Sequence, residues 1–167
     1  MDETKVTRRA LAAAGGLIAV AGFAGVATAA AEGPAPSTDG EKANLKLVRA
    51  FIASWSATDF DAKKAMPRFL AQKCSVRLMQ TMPPATTPAA VAAGFDMSHG
   101  ERLTVKFLST YAKGPIVTTH RIDTLITPGK ADQDFEVVGV FYVQDGKIKE
   151  WTDYLLNPPS PAPPSAQ

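Results

Sequence analysis

Residues 116–127, "IVTTHRIDTLIT", and 134–156, "DFEVVGVFYVQDGKIKEWTDYLL", decide the fold. Both stretches alternate apolar and polar residues, the pattern of strands with one face buried. The second contains an Asp-Gly pair at Asp145-Gly146, a signal for a two-residue hairpin turn. "RLTVKFLSTYA" (102–112) precedes them and alternates in the same way, with "KGP" and "PGKADQ" as breaks. Four strands joined by such short connections predict an antiparallel meander.

Upstream the pattern turns helical. "TDGE" at Thr38–Glu41 has the spacing of a capping box. Leu45, Val48, Phe51, Ile52 and Trp55 then recur on one helical face, which predicts a helix of about 16 residues ending near Thr58. "DFDAKKAMPRFL" (59–70) reads as a second helix with Phe60, Ala65 and Phe69 inward, distorted or shortened by Pro67. Lys73–Met79 is strand-like, "MPPATTPAA" is a Pro-rich break, and "AAVAAGFDM" (89–97) is a third short helix. Helices followed by strands give an α+β fold, a curved mixed or antiparallel sheet packed against three N-terminal helices.

The ends carry a different composition. Lys5, Arg8 and Arg9 open an Ala/Gly-rich apolar run that closes on the small residues "GVATAAAE". Residues 1–31 therefore read as an export signal, and "TRRAL" resembles the twin-arginine type. Residues 32–40 read as a linker, 41–156 as the folded domain and 157–167 as a Pro-rich tail. The expected destination is the periplasm or the medium, with no membrane attachment once the signal is removed.

Charge excludes one class of partner. Taking three basic and two acidic groups away with residues 1–31 leaves 15 Lys+Arg and 14 Asp+Glu from totals of 18 and 16. A near-neutral domain offers no electrostatic footprint for nucleic acid. Cys74 is the only cysteine, so no intrachain disulfide can form, and in an apolar stretch it reads as a small buried hydrophobe. No ligand spacing suggests a metal, and neither a G-x-S-x-G nor a Gly-rich phosphate loop is present. No cofactor is expected.

The strands carry the chemistry. Period two puts Val117, Thr119, Arg121, Asp123 and Leu125 on one face, and His120 on the other. On the last strand Trp151, Asp153 and Leu155 share a face, so Asp153 is expected to be buried with its apolar neighbours. A buried carboxylate needs a partner, and one guanidinium offers five donors to two acids. Two carboxylates about one cation in an apolar pocket are relieved if one keeps its proton, which is the arrangement of an acid and a base. On spacing alone a structural salt-bridge cluster, or solvated strand faces, is the simpler account.

These same residues resemble a known family. "RID" within "THRIDTL", the "GVF…DGKI" hairpin and "WTDY" are similar to the limonene-1,2-epoxide hydrolases of the nuclear transport factor 2-like, SnoaL-like superfamily, over roughly Glu41 to Leu156. The resemblance implies a cone-shaped sheet closed by helices, a homodimer, and opening of a small apolar epoxide by water without metal or covalent intermediate. By match, Asp123 would protonate the epoxide oxygen, Asp153 would take a proton from water, and Arg121 would bridge them. The family also holds its water with a Tyr and an Asn. Aligning "MQTMPP" puts Met79 and Thr81 there, and a thioether cannot donate a hydrogen bond. Thr81 as a water holder, with Met79 and Trp151 lining the pocket, completes the expected site. Whether a residue from elsewhere, such as Ser75 or Tyr111, compensates for the Tyr and Asn is not decided by the sequence. An isomerase or cyclase, and a non-catalytic carrier of an apolar molecule, are the alternative functions.

Overall fold

The computed structural model describes residues 37–95, 97 and 100–156, all within one compact unit. The expected export signal (1–31) and Pro-rich tail (157–167) lie outside the described residues. So do most of the expected linker and His99.

Helix α1 (Asp39–Ser54) starts where the capping box predicts. The Thr38 hydroxyl accepts from the Glu41 amide at 3.2 Å, and the Glu41 carboxylate accepts from the Thr38 amide at 2.8 Å. The expected linker boundary at residue 40 is therefore too late, because Asp39 and Gly40 already form the first turn. The helix has the expected 16 residues but ends at Ser54 rather than near Thr58, with turns following. The other oxygen of Glu41 accepts from the Gly114 amide at 2.8 Å, tying the start of α1 to a β-turn 73 residues away. These backbone amides hold its carboxyl below the usual carboxylate range, Gly114 contributing most.

Helix α2 (Ala62–Phe69) carries Pro67 in its last turn and runs straight into β1 (Leu70–Arg77). The strand thus begins three residues before the expected Lys73 and stops before Met79. Helix α3 (Pro88–Ala93) is shorter than the expected 89–97, because Gly94 ends it. Strands β2 (Arg102–Lys113), β3 (Ile116–Ile126), β4 (Gln133–Gln144) and β5 (Lys147–Leu155) form the expected meander. Asp145 and Gly146 both take positive φ, 52° and 68°, the backbone that a two-residue hairpin turn requires.

The sheet gains one parallel pair that local alternation does not reveal. β1 lies beside β5, so the order is β1-β5-β4-β3-β2 and the sheet is mixed. The fold is α+β, with a curved open sheet. α1 lays Val48, Phe51, Ile52 and Trp55 on one face of that sheet, where they meet Met66, Leu70, Val76, Phe141, Ile148 and Trp151. On β2 a register shift between Phe107 and Ser109 changes which alternate residues point inward. Among the described residues no helix is long and apolar enough to cross a membrane.

Candidate active site

Arg121 lies at the centre of the covered face and is wholly buried. An unpaired guanidinium there would cost several kcal/mol, so its donors must be matched. They are. Nε donates to both oxygens of Asp123, at 2.9 and 3.0 Å. Nη1 donates to the Thr119 hydroxyl at 3.0 Å, and Nη2 to Asp153 Oδ2 at 2.5 Å. Thr119, Arg121 and Asp123 alternate along β3 and so share its inner face. Asp153 comes from β5, and its other oxygen accepts from the Trp151 indole at 2.7 Å.

Asp123 and Asp153 are only 7% and 5% exposed. Burial pushes the Asp123 carboxyl up to about 6, against the pull of Arg121 and with a further push from Asp153. Burial also raises Asp153, opposed by Arg121 and by the Trp151 hydrogen bond. For Arg121, burial works against the charge, and the two carboxylates outweigh it, so its pKa rises. Two acids of raised proton affinity around one fixed cation titrate as a pair.

The acids open onto an apolar cavity of about 290 Å³. Trp55, Phe95, Phe135, Val137, Trp151 and Leu155 contribute to its wall, with Leu78, Met79 and Leu103 beside them. Trp55 and Trp151 lie 5.3 Å apart between centroids, and the Arg121 guanidinium carbon sits 5.3 Å from the Trp55 ring. The cavity is thus walled by apolar rings and chains with two carboxyls at its edge, a shape suited to a small apolar molecule. Among the described residues no cluster of His, Cys, Asp and Glu gathers as metal ligands.

The sequence-predicted residues divide cleanly. Arg121, Asp123 and Asp153 meet, and Met79 and Trp151 line the cavity. Thr81 does not: it is exposed in the turn after β1 and is absent from the cavity wall, because the strand ends at Arg77. Its expected role as a water holder is corrected accordingly. Ser75 and Tyr111 do not line the cavity either. His120 faces the other side of the sheet, where Nε2 lies 2.7 Å from Glu136. Cys74 is buried as a free thiol, and burial raises its pKa.

Two contributors carry little signal in the sequence. Thr119 is a direct ligand of the guanidinium, though period two already placed it beside Arg121. Helical spacing assigns Trp55 to the core, yet it also forms cavity wall, and its buried indole N–H has no partner among the described residues.

Comparison with known proteins points to one family and its fold. A solved LEH-like epoxide hydrolase of M. tuberculosis is 26% identical, with a TM-score of 0.59, covering 69% of this chain and 84% of that one. A protein from Jannaschia sp. described as SnoaL-like and polyketide cyclase-like is 17% identical, with a TM-score of 0.61, over 72% and 90% of the two chains. A polyketide cyclase fold from Xanthomonas campestris is 20% identical, with a TM-score of 0.59, over 69% and 91%. The last two show the fold alone. No curated protein matches the chain. The model of the limonene-1,2-epoxide hydrolase catalytic domain matches residues 42–156, and the chain belongs to that family.

Proposed function

We propose that this protein hydrolyses a small apolar epoxide to a diol in one acid–base-assisted step. The observation that carries the reading is one buried guanidinium bonded to two buried carboxyls at the wall of an apolar cavity. Asp153 receives two donors, from Arg121 and Trp151, one on each oxygen, which favours its ionised form. Asp123 receives a single N–H shared between its oxygens and keeps the proton. The Asp123 proton passes to the epoxide oxygen as the C–O bond breaks. Water attacks that carbon and gives a proton to Asp153. The diol leaves with the atoms of one water added, and exchange with solvent restores the proton to Asp123.

A second reading has its own support. By the family resemblance Met79 takes the place of a Tyr, and Thr81 is outside the cavity, which weakens the hold on water. Proton transfer near a carbonyl, as in an isomerase or cyclase, needs no such hold. Incubating the protein with a panel of terpene and aryl epoxides separates the functions. Diol formation supports hydrolysis, rearranged product without diol supports isomerisation, and tight binding of intact ligand supports a carrier.

The assembly and location belong to the same proposal. Leu108, Tyr111, Ile116 and Tyr154 are exposed apolar side chains, consistent with a homodimer, which sedimentation tests. The basic, Ala/Gly-rich residues 1–31 support export by the twin-arginine route, and fusion of 1–40 to a reporter tests it.

A further inference from the structure

Arg121 and Asp153 belong to strands separated by β4, a span of roughly 9–10 Å between β3 and β5. The residue of β4 at the crossing is Gly139, paired with Thr119 on one side and Asp153 on the other. A Cβ on Gly139 would stand 2.6 Å from Arg121 Nη1, 2.8 Å from Asp153 Oδ1 and 2.7 Å from Phe141 Cε2. All three are closer than a carbon tolerates. The backbone itself does not call for glycine, since Gly139 is not among the positive-φ glycines. Within a strand, glycine is the costlier choice.

We infer that Gly139 is a positioning residue: its missing side chain is the slot through which the Arg121 guanidinium crosses β4 to join Asp153 to Asp123. The inference rests on the acid–base reading of these three residues. A side chain in the slot crowds Nη1, which bonds Thr119, and Asp153 Oδ1, which bonds Trp151, and so parts the guanidinium from Asp153 while leaving Asp123, its neighbour on the same strand, in reach. The two acids then lose their common cation and titrate independently. Asp153, still buried but deprived of Arg121, holds its proton more tightly.

The test uses Gly139→Ala and the double variant Gly139→Ala/Phe141→Leu, which relieves the contact with Phe141 and keeps those with Arg121 and Asp153. Carboxyl protonation is followed by infrared difference spectroscopy across pH on the whole protein without substrate, with Asp153→Asn to assign the bands. The expected result is an Asp153 titration at least about one pH unit higher in a folded variant, and kcat lower by about tenfold or more with KM within about twofold. An unchanged Asp153 titration in either folded variant overturns the inference. Loss of folding in both also overturns it, because Gly139 would then serve packing. Failure of the wild-type protein to open any epoxide would sink the hydrolase reading, while the titration still decides the role of Gly139.

Discussion

Arg121 Nη2 lies 2.5 Å from Asp153 Oδ2 although their strands are not neighbours. A cation reaching across an intervening strand joins an acid of β3 to an acid of β5. Burial raises the proton affinity of both acids, while the donors around them differ. Under the proposed function, that inequality of environment makes one a proton donor and the other an acceptor.

Replacing Asp153 with Asn removes the acceptor while keeping its shape. Turnover of an accepted epoxide should fall by about two orders of magnitude or more. Circular dichroism should show the fold intact. Unfolding of the variant would instead assign the cluster to structure.

The pH dependence follows from Asp123. With its carboxyl at about 6, kcat/KM should decline as pH rises through about 6, and decline again in acid as Asp153 is protonated. Stability obeys the same linkage with a definite sign. Between the ordinary Asp value of 3.8 and about 6 the folded chain binds more protons than the unfolded one, so stability falls as pH rises through that window. Asp123→Asn should flatten this decline, by an amount of order 1–3 kcal/mol in denaturant titrations at pH 4 and pH 7.

Trp151→Phe keeps a ring in the cavity wall but deletes the donor to Asp153 Oδ1. A buried carboxylate oxygen left without a partner costs about 1–3 kcal/mol. The thermal midpoint should drop accordingly. The acid limb of the rate profile should move to higher pH, since the lost bond favoured the ionised form. An unshifted limb would show that the indole serves packing alone.

Met79 lines the cavity that holds both acids. Met79→Tyr supplies a hydroxyl where the thioether offers none. The hydrolase reading expects kcat to rise several-fold with the acids untouched. A variant no faster than the wild type would show that water is already well held.

Much of this site was legible because strand alternation is local. Period two placed Thr119, Arg121 and Asp123 on one face, and Trp151 and Leu155 marked Asp153 as buried. The capping box at Thr38 and the Asp145-Gly146 turn were equally local signals and held. What escaped depends on distant partners. The parallel pairing of β1 with β5 joins segments far apart in the chain, and no local alternation encodes it. Where β1 stops decided that Thr81 would miss the cavity. In the sequence Gly139 is only part of a hairpin motif, since a glycine in a strand becomes meaningful only when its cross-strand neighbours are known.

The most direct measurement is a single turnover of an accepted epoxide in ¹⁸O-labelled water, with protein in excess, followed by mass spectrometry of the diol. One labelled oxygen in the first-formed diol is the predicted result, because water adds without passing through a carboxylate. Unlabelled diol would mean that an Asp oxygen attacked first, and the assignment of Asp153 as a base held by Arg121 would be wrong.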